Sequence, residues 1–118
     1  MPRQEAGEPY FRVGIDEAKQ MLDGAGDVVV VDVRTNDEYT SGHVTGAIHI
    51  PLDDVLARIE ELPKDKKLLF ICAAGQRSGL ACEMGAAMGV ESERLFNIED
   101  GTPTWIGKQY PTSYGTDL

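Results

Sequence analysis

Four valines in a row, at positions 28–31, constrain this chain more than any other feature. A β-branched side chain at every position leaves no polar face, so the run suits a strand covered on both sides, as in a parallel sheet. A second apolar run, Leu68-Leu69-Phe70-Ile71, completes a strand expected over 67–71. Shorter strands are expected over 10–13, over 47–50 (stopped by Pro51) and over 94–98. Between them the spacing changes to that of helices. Asp16 is placed to cap a helix to about Leu22, with Ile15, Ala18 and Leu22 on one face and Gly24 and Gly26 ending it. A short polar helix is expected over 36–41. Leu52, Val55, Leu56, Ile59 and Leu62 recur at helical intervals, with Asp53 and Asp54 in the first turn and Pro63 closing the segment. A helix over about 78–88 is rich in Gly and Ala and can lie close to a sheet. Residues 101–118 read as a short helix and an extended end. Alternating strands and helices predict an α/β fold with a mainly parallel sheet. Ligands bind such sheets beyond the carboxyl ends of the strands, and Cys72 occupies one of those ends.

The 118 residues have room for one compact domain. It is expected over 10–112, with a flexible lead over 1–9 and a tail over 113–118. Twenty acids against 11 bases give a net charge of -9, which argues against a nucleic-acid partner because phosphate binding needs clustered Lys and Arg. Any anion site must be local, made by backbone dipoles and one or two arginines. No apolar run is long enough for a membrane span, and the first ten residues lack an apolar signal core. Cys72 and Cys82 form neither a disulfide framework nor a zinc-ligand spacing, so a reducing, cytoplasmic compartment is the expectation. No internal repeat is visible.

The segment that carries chemistry is Cys72-Ala73-Ala74-Gly75-Gln76-Arg77-Ser78. A strand ends, a short loop turns and a helix begins. Such a loop can aim several backbone N–H groups into one concavity and add the positive end of the helix dipole. A thiolate at its centre is stabilised, so the Cys72 thiol is expected to ionise below the ordinary range. Gly75 supplies the freedom to adopt positive φ, and Arg77 brings positive charge to the rim.

At this point the chain resembles the rhodanese family. Asp32-Val33-Arg34, Glu38, Gly42-His43-Val44, Gly46-Ala47 and Ile50-Pro51 follow the family's first signature. The Cys72 to Ser78 loop matches its active-site loop, and Gly101, Trp105 and Tyr110-Pro111 resemble its C-terminal signature. The resemblance implies a three-layer fold, a mostly parallel five-stranded sheet flanked by helices. It implies a sulfurtransferase in which Cys72 carries sulfane sulfur as a persulfide, with Ala73, Ala74, Gly75, Gln76, Arg77 and Ser78 forming the binding loop. The implied partners are a small sulfur donor or a persulfidated protein, and a thiol or cyanide as acceptor, with no metal or organic cofactor. The protein would be a monomer or homodimer. Related phosphatases and arsenate reductases use a loop one residue longer, Cys-x5-Arg, whereas four residues separate Cys72 from Arg77 here.

Ala73 and Ala74 depart from many thiosulfate-using members, which carry Arg, Lys or another polar residue there. The alanines offer no donor to a sulfonate, which points to a cysteine persulfide as the donor. They also leave room for a second reading, a catalytically weak module with a binding or regulatory role. Asp100-Gly101 replaces the usual Gly-Gly; Asp100 either tightens a turn or faces the loop and repels anions. Arg77, at the end of the loop, is expected to contact an anion, with a cap or a salt bridge as the alternative. Cys82 is expected in the core, with a resolving thiol as the alternative. Asp32 and Arg34 are expected to be structural, as a charge pair or a loop anchor near the active face, His43 to hydrogen-bond a loop, and Trp105 to anchor the tail. Neither His43 nor His49 has a metal or triad partner in the sequence.

Overall fold

The two apolar runs lie side by side at the centre of the molecule in the computed structural model, which describes residues 2–24 and 26–118. The elements in chain order are β1 (Phe11–Val13), α1 (Ile15–Leu22), β2 (Val28–Asp32), α2 (Asn36–Thr40), β3 (His43–Val44), β4 (Ile48–His49), α3 (Val55–Arg58), β5 (Lys67–Ile71), α4 (Gln76–Ala87), β6 (Leu95–Ile98), α5 (Gly101–Gly107) and β7 (Thr112–Ser113). Five strands form one sheet in the order β1-β6-β5-β2-β4, and every pairing in it is parallel. The central pair runs in register from Val28 opposite Lys67 to Asp32 opposite Ile71. β3 and β7 form a separate antiparallel pair that holds the C-terminal segment.

Side-chain alternation divides the core into two layers. Val31, Leu68, Phe70 and Cys72 face Ala81 and Cys82 of α4, together with Val55, Ile59 and Leu62. Val30, Leu69, Ile71 and Ile98 face Ile15 and Ala18 of α1 and Trp105 of α5. The three-layer α/β arrangement expected from the sequence is therefore present, and Cys72 sits on the α4 side. Gly79 and Gly85 let α4 approach the sheet. A Cβ at Gly79 would lie 3.1 Å from Asn97 Nδ2, and one at Gly85 would lie 3.1 Å from Leu95 Cδ2.

Two local expectations are corrected. Asp16 does not cap α1. The helix begins two residues earlier than an Asp16 cap would place it, with Ile15 buried as its first residue, and the Ile15 N–H donates to Asp100 Oδ2 at 2.8 Å. Asp16 points outward to Lys108 and Tyr110. The segment 52–62 is not one helix: short 3-10 turns, Leu52–Asp54 and Ile59–Glu61, flank α3. The backbone leaves regular helical geometry at Asp54 (φ -101°, ψ -5°) and Arg58 (φ -113°, ψ 10°). This bending buries Val55, Ile59 and Leu62 while Leu56 stays 48% exposed. The segment before β1 also pairs with that strand. Arg3 and Arg12 exchange backbone hydrogen bonds, and Arg3 also pairs with Glu99. Met1, the start of that lead, lies outside the described residues.

Gly101 opens α5 at φ +79°, and a Cβ there would stand 2.0 Å from the Ala73 carbonyl oxygen. That backbone cannot yield, because the Cys72 carbonyl beside it accepts the Thr102 N–H at 2.9 Å. Gly101→Ala is expected to lower stability by about 3 kcal/mol or more. Urea unfolding followed by circular dichroism checks this.

Candidate active site

Strand β5 delivers Cys72 to its carboxyl end, and the chain must then turn sharply to start α4. Gly75 makes the turn at φ +89°, a conformation costly for other residues. It is needed for space as well, since a Cβ there would lie 2.7 Å from the Glu99 carbonyl oxygen. The turned loop closes over the Cys72 sulfur. The Gly75 N–H donates to Sγ at 3.1 Å, and Ser78 Oγ lies 3.3 Å from it. Cys72 is 1% exposed. Burial opposes its ionisation. The Ser78 hydroxyl and the backbone N–H groups of Ser78, Ala74 and Gly75 outweigh that penalty and bring the thiol below its ordinary pKa. Cys82 has the opposite fate. It is fully buried in the core, and burial, with Glu83 and Glu8 adding negative charge, pushes its thiol well above the ordinary value.

Arg77 resolves into the salt-bridge alternative. Its guanidinium meets the Glu38 carboxylate with two parallel bonds, Nη1–Oε1 at 2.6 Å and Nη2–Oε2 at 2.8 Å. Arg77 holds the Glu38 carboxyl down at about 2; burial opposes this, and the Thr35 N–H and hydroxyl assist. Glu38 also belongs to the cap of α2, accepting from Thr35 N at 3.1 Å. One carboxylate thus joins the active loop to the first turn of α2. The rim cation is committed to a protein anion, and the side chains of Ala73 and Ala74 add no donor. Ala74 and Gln76 are exposed, and with Gly75 they line a groove of about 460 Å³ beside the loop that also touches Tyr10, Leu80 and Asn97.

The flanking residues have structural partners. Asp32 and Arg34 form a buried pair (Nη2–Oδ2 2.8 Å), and Arg34 reaches on to the Gly42 carbonyl. His43 Nδ1 bonds the Tyr39 carbonyl at 2.8 Å, Nε2 lies against the Asp117 carbonyl, and its ring stacks on Tyr39. His49 bonds the Arg34 carbonyl. Asp100 neither tightens its own turn nor faces the loop; its Oδ2 accepts the Ile15 N–H of α1 at 2.8 Å. Trp105 is buried and donates to the Pro111 carbonyl at 2.8 Å. Among the described residues, no group of three or more His, Cys, Asp or Glu side chains comes together in a metal-binding arrangement, and no helix is long and apolar enough to cross a membrane.

One site residue escapes sequence reasoning. Asn97, 4% exposed in β6, accepts from Ser78 Oγ at 2.5 Å and donates to the Gly75 carbonyl at 3.0 Å. The signal was available: an amide inside the apolar run Leu95-Phe96-Asn97-Ile98 must find buried partners.

The sequence pattern of the rhodanese-like domain matches residues 14–108. The putative sulfurtransferase YtwF of Bacillus subtilis (strain 168) is 31% identical over 93 residues, 79% of this chain and 87% of that protein. The putative sulfur carrier protein YrkF of the same organism is 31% identical over 96 residues, 81% of this chain, which spans about half (51%) of that protein's length. Among solved structures, a rhodanese-like domain protein from Staphylococcus aureus superposes with a TM-score of 0.71 at 31% identity, covering 80% of this chain and 89% of that one.

Because hydrogen bonding lowers the Cys72 pKa and burial raises that of Cys82, Cys72 is expected to react with iodoacetamide ahead of Cys82 at neutral pH. The rate should rise with pH through a midpoint below that of an ordinary thiol. Ser78→Ala removes a donor to the thiolate and should move the midpoint upward. Peptide mass spectrometry after timed alkylation across a pH series checks both.

Proposed function

The chain belongs to the rhodanese-like domain family, and from that premise we propose that it is a sulfurtransferase that carries sulfane sulfur on Cys72 as a persulfide. The carrying observation is the Cys72 sulfur enclosed by the Gly75 N–H at 3.1 Å and the Ser78 hydroxyl at 3.3 Å. A ring of donors fixed in advance stabilises negative charge on sulfur without reorganising during the reaction. The family's sulfurtransferase character enters through relatives that carry that name. The short loop, with four residues between Cys72 and Arg77, favours a sulfur atom over a phosphate.

In the first half-reaction the Cys72 thiolate attacks the outer sulfur of a donor R–S–SH. A new S–S bond forms, the donor's S–S bond breaks, and R–S⁻ departs with the electron pair. The product, Cys72–S–SH, loses its proton to solvent and its terminal sulfur becomes the anion within the loop. In the second half-reaction an acceptor thiolate or cyanide attacks that terminal sulfur, and Cys72 leaves as the thiolate. No electrons are exchanged with an outside redox partner, and the cycle requires no organic cofactor.

The donor follows from the rim. With Arg77 paired to Glu38 and alanines at 73 and 74, no side chain there holds a free cation for a sulfonate. A thiol persulfide, small or on a protein, therefore suits the site better than thiosulfate. The proposal places the reaction on residues 10–112 and in the cytoplasm, where Cys72 remains a free thiol between turnovers.

Intact mass spectrometry after incubation with glutathione persulfide, thiosulfate or 3-mercaptopyruvate tests the reading. Cys72 is expected to gain one sulfur atom with the persulfide, to lose it on adding cyanide, and to gain none in Cys72→Ser. Thiosulfate should load it much more slowly. A wild-type protein that takes sulfur from no donor would instead be a rhodanese module used for binding.

A further inference from the structure

Two buried residues stand between strand β6 and the Cys72 sulfur, and their hydrogens can be assigned by chemistry alone. The Gly75 carbonyl can only accept, so the Asn97 amide must turn its NH2 toward it, at 3.0 Å. That orientation presents Asn97 Oδ1, also only an acceptor, to Ser78 Oγ at 2.5 Å. The Ser78 hydroxyl therefore gives its single proton to Asn97, and its lone pairs face Cys72 Sγ at 3.3 Å. With Cys72 as a thiol the arrangement is complete: S–H donates to Ser78, Ser78 to Asn97, and Asn97 to Gly75. Ionising the thiol reverses one link. The thiolate only accepts, so the Ser78 hydroxyl must rotate its proton from Asn97 to sulfur.

Resting on the sulfur-carrier reading above, we propose that Asn97 is a positioning residue of the loop, holding Gly75 with its N–H on the Cys72 sulfur and exchanging the Ser78 hydroxyl proton with that sulfur. The clamp is a close one. The Gly75 carbonyl takes the Gly79 N–H at 3.2 Å besides the Asn97 amide, so Asn97 fixes the residue at which the loop becomes α4. A Cβ at Gly79 would already crowd Asn97 Nδ2 at 3.1 Å, which leaves the amide little freedom to move away. The exchange is a rotation of one hydroxyl between two acceptors on opposite sides, and no heavy atom needs to leave its place. Asn97 touches neither the sulfur nor a donor; it acts through Ser78 and Gly75. Because Asn97 competes for the Ser78 proton, the hydroxyl's help to the thiolate is reduced by the bond it gives up.

The charged groups packed around the loop are Arg77 with Glu38 on the rim, the Asp32–Arg34 pair at the carboxyl end of β2, and Arg12 with Glu8 and Glu99 on the groove side. Each has a partner of opposite sign and stays unchanged in the variants below. Tyr10, which also bounds the groove, donates to Glu8.

Two measurements test the proposal. In the wild-type protein labelled with 15N and 13C, an NMR pH titration follows the Asn97 side-chain NH2 pair and the Cys72 Cβ together. Both are expected to shift with one midpoint, and in Ser78→Ala the Asn97 response should vanish. Asn97 resonances that stay fixed while Cys72 ionises would overturn the exchange. The second measurement is a double-mutant cycle read by the pH midpoint of Cys72 alkylation. Asn97→Leu removes the competitor for the Ser78 proton. Ser78→Ala should therefore lower the thiolate fraction at neutral pH by a several-fold larger factor in the Asn97→Leu background than in wild type. Equal factors in the two backgrounds would also overturn the proposal. If the double variant does not fold, the wild-type titration decides by itself. Persulfide loading of the wild type separates the two readings. Loading with a static Asn97 removes only the present inference, whereas a responsive Asn97 in a protein that takes up no sulfur removes only the sulfur-carrier function.

Discussion

A thiolate that is 1% exposed has lost almost all the water that would normally stabilise it, so the protein must supply replacement hydrogen bonds. At Cys72 these come from a loop of backbone N–H groups and one hydroxyl. Much of the surrounding structure serves that enclosure. The parallel sheet brings Cys72 to a strand end where the chain must turn outward. Gly75 makes the turn, against a carbonyl that would collide with any Cβ. α4 begins at once, so the Ser78 N–H in its first turn reaches back to the sulfur. α5 presses on the other side through Gly101 and bonds the Cys72 carbonyl through Thr102.

The charge distribution is consistent with this emphasis on backbone donors. A chain of net charge -9 does not gather a cationic surface around its candidate site. Its rim arginine is neutralised by Glu38, in a fork that ties the loop to α2. A planar two-bond pair orients Arg77 as well as compensating it. What remains for a ligand is a mouth of small side chains over a polarised interior. The two cysteines show how strongly local donors matter: both are buried, yet the one inside the loop ionises more readily and the one in α4 less.

Much of the fold was legible because its cause is local. Continuous β-branched and aliphatic runs mark β2 and β5. The 52–62 segment was harder. Its apolar spacing is helical, but the helix breaks at Asp54 and Arg58, and Val55, Ile59 and Leu62 are buried together in the core layer on the α4 side. The start of α1 was misplaced for a related reason. Its cap is Asp100, 85 residues beyond Ile15, and no local pattern announces a cap supplied from another part of the chain.

The sequence by itself determined the α/β class, the place of Cys72 after a buried strand and the length of the loop behind it. These follow from periodicity, glycine placement and spacing, which act over a few residues. Tertiary structure alone decided that Arg77 is spent on Glu38, that Asp100 turns to α1, and that Asn97 sits behind Ser78. Each is a hydrogen bond between groups 19 to 85 residues apart. Partners at such distances are chosen by how the sheet and its helices pack.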